Sequence, residues 1–396
     1  MGSSAAKWAA EMCNKKGEKV ALVGPKEPSS KKDGHVFGAW FDAGRIADML
    51  DEAGNWRLLA EKSISRYRDI EEKTGVEFYK EVGFLTLVDD KYEDKAGLED
   101  AAKTLQESGY HCDLINVTNA RSTFPQLNIT EDLFGYHQPD NSGHINPREM
   151  IKAQQALAAL HNCDIVCEEV IEIKKENERF ILTLSNGKKL TAAKIILAQG
   201  AYLNFSNLLK NFTKMDVDLR LTTQTIAYLQ VSDEEANRLK DLPTIVTTYK
   251  RGDLDGTYIL PPIRYPDGKF YLKLGHHNNF ERNIETAEEM LEWYRSEEGD
   301  MDAVAELAKF LKTFVNDLIV EEVTGGCCVT SNTPTKTAPY IQEVAEDLVV
   351  AAGGCGYAAS RSDEIGRIAA VLAVEGRWDS DIDQKEMEVV WRNRTV

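Results

Sequence analysis

The sequence predicts a mixed α/β (α+β) fold, in which a nucleotide-binding domain is interleaved with a domain built on a mostly antiparallel β-sheet. Three observations carry this expectation. Gly2 to Ala10 reads as the last glycine of a dinucleotide-binding loop and the first turns of its helix, and after a turn at Lys15 to Gly17 the segment Glu18 to Val23 (EKVALV) is a short apolar strand. Helix, turn and strand in that order form the second half of a Rossmann βαβ unit. Strand-then-glycine signatures return in the middle (KIILAQG, 194–200) and near the end (LVVAA, then Gly353-Gly354-Cys355-Gly356). Between them, segments from 218 to 275 (TQTIAYLQV, GTYILPP, KFYLKLG) alternate with period two, the pattern of antiparallel strands. Nucleotide-domain signatures at three places, with β-rich insertions between, imply two interleaved domains rather than two successive ones. The expected division is 1–80, 144–212 and 330–396 for the Rossmann-like domain and 81–143 and 213–329 for the second. The strand and first two glycines that would complete GxGxxG are expected upstream of Met1.

The elements follow in order. Residues 56–74 carry helical periodicity with mixed charge and predict one amphipathic helix. Glu81 to Val88 predicts a strand, 92–108 a polar helix ending near Gly109, and 111–145 a loop-rich stretch. Pro147 opens a helix at its first turn, where proline is favoured. Strands are expected at 164–173 and 179–185, with a turn at Ser185-Asn186-Gly187, and at Lys194 to Ala198. Residues 286–316 are helical, Leu348 to Ala352 is a strand, and a final helix runs through Ile365 to Leu372.

Length and composition bound the function. The 396 residues suffice for two to three domains, and 42% hydrophobic with 28% charged residues describe a globular chain. A net charge of −18 argues against nucleic acid or acidic membrane surfaces as partners. No run approaches the roughly 20 apolar residues of a membrane span, and Lys7 with the charges from Glu11 onward do not form a secretory leader. The seven cysteines are odd in number and lack the spacing of a disulfide framework. A reducing compartment is therefore expected, the cytoplasm or an organelle lumen, without secretion. His161, Cys163 and Cys167 could be taken for a metal cluster, but alternating strand positions suggest core packing, and no metal is expected.

Seven motifs occur in sequence: Gly2-Ser3 at a helix start, Val23-Gly24-Pro25 at a strand end, Asp42-Ala43-Gly44-Arg45-Ile46 in a loop, Glu169-Val170 followed by KIILAQG, Tyr271-Leu272-Lys273-Leu274-Gly275-His276-His277, Cys327-Cys328-Val329-Thr330-Ser331-Asn332-Thr333-Pro334, and Ala351 to Ser360. In this order they resemble the D-amino-acid oxidase and sarcosine oxidase family of FAD-dependent oxidoreductases, from Gly2 to about Trp378. The resemblance implies FAD with its pyrophosphate at Gly2 and Ser3, where helix N–H groups and dipole favour an anion. Gly24 stands where the family places a carboxylate for the ribose, with Glu27 the nearby alternative. Arg45 and Ile46 would contact the flavin, Val170 would offer its backbone to the adenine, and Ala198 and Gly200 would let the chain pass close to the cofactor. Lys273 matches a lysine held over the flavin through water, whose charge helps O2 accept an electron, and His277 matches an active-site histidine. Cys328 matches the covalent anchor of the sarcosine enzymes, although non-covalent FAD is expected here. Gly353, Gly354, Gly356, Tyr357 and Ala358 match the glycine loop and helix start at the flavin pyrimidine end.

The departures point one way. Asp48 occupies the place of an arginine that clamps a substrate carboxylate, Ser360 that of a lysine with the same task, and Tyr357 that of a histidine. The resemblance then implies oxidation of a C–N bond in an amine or amino acid other than a plain N-methyl amino acid. Hydride passes to flavin, the imine hydrolyses, and O2 is reduced to H2O2; no side-chain base is required if the amine is neutral in the pocket. The alternatives are a truncated, non-catalytic form impaired in FAD binding and a flavin dehydrogenase that uses a protein acceptor.

Overall fold

The computed structural model describes residues 1–28, 38–276 and 280–394. Its first helix, Gly2–Asn14, buries Ala5, Ala6, Ala9 and Ala10, and this small-residue face lies against the last helix, Ala358–Glu375. Gly366 marks the crossing: a Cβ there would lie 2.5 Å from the Ala5 nitrogen and 2.6 Å from the Ser4 Cβ, so only glycine admits this approach. The first helix also packs on Pro147–Leu160, whose start is capped by the Asn146 side chain accepting from the Arg148 and Glu149 N–H groups.

Parallel pairing occurs where the nucleotide-domain signatures lie. Ala21–Gly24 pairs with Asp164–Cys167, and Ile195–Leu197 pairs with Leu348–Ala352, which also pairs antiparallel with Tyr340–Ala345. Among the described residues these form two separate sheets. The Cβ position of Gly2 lies 3.5 Å from the Ala198 Cβ, so the start of the first helix meets the end of the middle strand.

The large sheet has eight strands in the order Glu322–Asn332, Arg220–Val231, Phe270–His276, Thr257–Arg264, Thr244–Thr248, Phe84–Asp89, Leu133–Gln138 and Asp113–Asn116. Every pairing is antiparallel except that of Thr244–Thr248 with Phe84–Asp89. Leu229, Leu272 and Leu274 join Leu307, Leu311 and Phe314 of the helix Met301–Phe314 in one core. Lys273, between two of those leucines, therefore projects from the opposite face.

Five sequence expectations change. The single helix over 56–74 is two, Asn55–Ile64 and Tyr67–Thr74, because the chain turns at Ser65-Arg66, where the Arg66 guanidinium reaches Asp363 and Glu364 at 2.7 Å each. The stretch 111–145 is not loop-rich: it holds Asp113–Asn116, the helix Val117–Thr123, Leu133–Gln138 and Gly143–Ile145. Its edge position conceals it, since Asp113, Leu114 and Asn116 are all exposed and no apolar alternation survives. The strand 164–173 divides at Glu168-Glu169 into Asp164–Cys167 and Val170–Glu176, which belong to different sheets. Arg45 and Ile46 are not in a loop; they open the strand Arg45–Ala47, paired with Gly143–Ile145. His161, Cys163 and Cys167 do not alternate along one strand either. His161 caps the C-terminal end of the helix Pro147–Leu160, Cys163 is buried, and Cys167 is exposed. No helix among the described residues is long and apolar enough to cross a membrane.

Candidate active site

One cavity of about 2320 Å³ runs through the molecule. Gly2, Ser3, Gly24, Arg45, Ile46, Val170, Ala198, Gly200, Lys273, Cys328, Gly353, Gly354, Gly356, Tyr357 and Ala358 all line it. His277 lies outside the described residues. His276, beside it, is buried, and its Nε2 accepts from the Thr225 N–H at 3.4 Å.

The nucleotide end is built from backbone. Among the described residues, six of the ten α-helices have a side-chain cap, but the first and last, whose starts both border the cavity, have none and carry no acidic residue in their first turns. Their free N–H groups suit an anion. Gly353, Cys355 and Gly356 have φ of 78°, 50° and 84°, which turns the chain tightly just before the last helix. A Cβ on Gly24 or Gly200 would meet nothing within 4 Å. A cavity of this size exceeds the roughly 300–1,000 Å³ of sites for small ligands. An elongated dinucleotide with a central pyrophosphate fits these features. Gly24 stands at the end of its strand, but Glu27 is engaged: its carboxylate pairs with Arg148, which also covers the Phe41 ring at 4.5 Å. Val170 opens its strand opposite Leu184.

At the sheet end, charge is concentrated and dry. Lys273 is fully buried, and its Nζ donates to the Asp42 carboxylate and to the Gly44 carbonyl, both at 2.7 Å. Asp42 also accepts from the Arg45 guanidinium, from the Tyr265 hydroxyl at 2.9 Å and from the Ala43 N–H at 2.7 Å. Burial alone would raise the Asp42 carboxyl, but Lys273 and Arg45 outweigh it and hold the group well below the usual carboxylate range. Burial, and then the neighbouring Arg45, pull the Lys273 ammonium down to about 8, against the Asp42 carboxylate, which holds it up. Cys328 is buried, with its Sγ 3.7 Å from Arg45 Nη2.

A second ion pair lies beside the last helix. The buried Arg361 guanidinium contacts both Asp48 oxygens at 3.3 Å and Ser360 Oγ at 2.9 Å. Tyr357, 43% exposed, lies against Arg361 and stacks near Trp56 at 5.4 Å. Sequence reasoning found Asp48 and Ser360 but missed Arg361, the adjacent residue that brings a cation back to this corner. It also missed Asp42 as the partner of Lys273, and Arg148. The proximity of Arg361 to Ser360 in sequence was the one available signal.

A glycine-lined nucleotide cavity with a buried cation on the adjoining sheet defines a flavin-dependent oxidoreductase. The chain belongs to the DAO family of FAD-dependent oxidoreductases, whose profile matches residues 1–372. It is similar to monomeric sarcosine oxidase of Bacillus sp. strain NS-129, at 21% identity over 381 residues, covering 93% of this chain and 90% of that one. Among solved structures, NikD in its open form, described as an unusual amino acid oxidase essential for nikkomycin biosynthesis, matches with TM-score 0.76 at 18% identity, covering 100% of this chain and 97% of NikD. L-proline dehydrogenase from P. horikoshii matches with TM-score 0.72 at 18% identity, covering 98% and 94%.

Proposed function

We propose that the chain oxidises the C–N bond of an amine or amino acid and passes the electrons to O2. The observation that carries this reading is Lys273, a buried ammonium at the wall of the cavity that holds the matched flavin motifs. FAD bound in that cavity supplies the hydride acceptor for the substrate C–H bond and the two electrons that, with two protons, convert O2 to H2O2. The chain's own residues do the rest. The glycine loop and the two uncapped helix starts hold the cofactor, without a covalent bond to Cys328 in this reading. Lys273 places positive charge where oxygen gains its first electron, in a dry site where a fixed charge acts strongly.

Among the described residues, Arg361 is not a free carboxylate anchor, because Asp48 already engages it. This supports a substrate other than a small N-methyl amino acid. It also supports oxidation of a neutral amine without a side-chain base: Tyr228, Tyr258 and Tyr265 are all pushed far above neutrality by burial, so none removes a proton at pH 7. All seven cysteines are free thiols, in keeping with a reducing compartment, the cytoplasm or an organelle lumen.

The test is the visible spectrum of the FAD-loaded chain before and after acid precipitation, followed by anaerobic addition of secondary amines. Flavin bands that leave with the acid supernatant, bleach with an amine and return in air with peroxide are expected. A protein that stays colourless with added FAD overturns the reading. A bleached flavin indifferent to air but reoxidised by a dye overturns the oxygen step and favours a protein acceptor.

A further inference from the structure

We propose that Asp42 is a positioning residue for the oxygen step: its carboxylate holds Lys273 in the charged form and fixes Arg45 beside it. The proposal rests on the reading of Lys273 as the oxygen-step cation. Two cations side by side in a dry site repel each other, and lysine is the one that can give up its proton. Asp42 is what offsets both burial and Arg45. It is 6% exposed, and its two oxygens accept from Lys273, Arg45, Tyr265 and Ala43, leaving it no part in binding solvent. The trio carries one net positive charge.

The loop around it is shaped for this task. A Cβ on Gly44 would lie 2.6 Å from Ile263 Cδ1 and 2.8 Å from Leu260 Cδ2, so a side chain there would push both aside, and glycine lets the loop lie against the sheet with its carbonyl at Lys273. Asp42 and Gly44 take two of the three ammonium hydrogens, which leaves one for an occupant of the cavity. The other groups facing the trio are Tyr228, Tyr258, Cys328 and His144 on neighbouring strands and Tyr265 in the turn after Thr257–Arg264. Burial keeps the tyrosines neutral, and burial, with Lys80 and Lys273 nearby, pulls His144 down to about 4, so these four do not titrate between pH 6 and 9.

The test compares wild type with Asp42→Asn, which keeps the shape and removes the charge. In the FAD-free chain, the 13Cε lysine resonance that disappears in Lys273→Met is titrated by NMR. It should move at least one pH unit lower in Asp42→Asn and return in Asp42→Glu. In the FAD-loaded enzyme, reoxidation at pH 7.5 should fall about threefold for the first unit of that shift and about tenfold for each unit beyond it, with anaerobic flavin reduction changed less than twofold. A titration and a pH profile that stay in place in Asp42→Asn overturn the proposal. If that variant does not fold, Arg45→Gln supplies the opposite arm: with the competing cation gone, the Lys273 titration should rise, and an unmoved titration overturns the proposal equally. Lys273→Met that slows reduction and reoxidation alike overturns the underlying reading of Lys273. A selective Lys273→Met effect with an unmoved Asp42→Asn titration overturns the Asp42 inference alone.

Discussion

In the proposed function, Asp48 limits the substrate by engaging Arg361. Its carboxylate pairs with the Arg361 guanidinium at the cavity wall, beside Tyr357. Asp48→Asn should release that guanidinium, and small carboxylates such as sarcosine should then perturb the flavin spectrum at least tenfold more tightly than in wild type. Equal binding by the two proteins would show that Arg361 does not face the substrate. At Lys273, Lys273→Met should slow flavin reoxidation at least tenfold while leaving reduction by an amine within twofold, read by stopped-flow absorbance. The residues legible in the sequence were those carried by short motifs that resemble the family's: the glycines of 351–360, and Lys273 in the run Tyr271 to His277. Asp42 and Arg361 were not legible because their partners are 231 and 313 residues away in the chain, and only the folded packing brings them together.

The first and last helices are joined by a buried carboxylate as well as by Gly366. Asp363 accepts from Lys7, from Ser4 Oγ at 3.3 Å and from Arg66 Nε at 2.7 Å. Burial would raise its carboxyl, but Lys7 and Arg66 hold it below the usual range. Asp363→Ala would leave the buried Lys7 without its partner, and Arg66 with Glu364 alone, which costs about 3–5 kcal/mol for a buried pair, visible as a lower denaturation midpoint. Because the folded-state value is depressed, the contribution of Asp363 is complete above the unfolded carboxyl value of about 3.9 and is lost as pH falls through the folded one. Asp363→Asn should therefore flatten the acid limb of stability below about pH 4. Gly366→Ala should cost about 1–3 kcal/mol through overpacking at the crossing, measured by urea denaturation. Element types were readable wherever one face is apolar. The boundaries failed where a long-range contact, such as Arg66 to Asp363, turned the chain inside a continuous periodic pattern.

Over the whole molecule, the three nucleotide-domain signatures were readable as separate strand-and-glycine units, and the structure gathers them around one cavity. The eight-stranded sheet was legible in its central strands and hidden at its edge, where alternation is weak. Stability as a whole should fall on acidification even above pH 4. His144 is buried, and its folded-state value of about 4 lies under the unfolded value of about 6.5. The unfolded chain thus binds the extra proton between those limits, and stability should rise with pH across that window. A His144→Gln variant should lose that slope in denaturation midpoints measured from pH 4 to 7.

The contacts of Asp363 with Ser4 and Lys7 span more than 350 residues, and they set an order of events during synthesis. The helix Ala358–Glu375 is translated more than 340 residues after Gly2–Asn14, so the earlier helix waits without its partner. At about 5–20 residues per second, that interval is on the order of tens of seconds. The apolar helix face of Ala5, Ala9 and Ala10 must stay out of aggregates for that time.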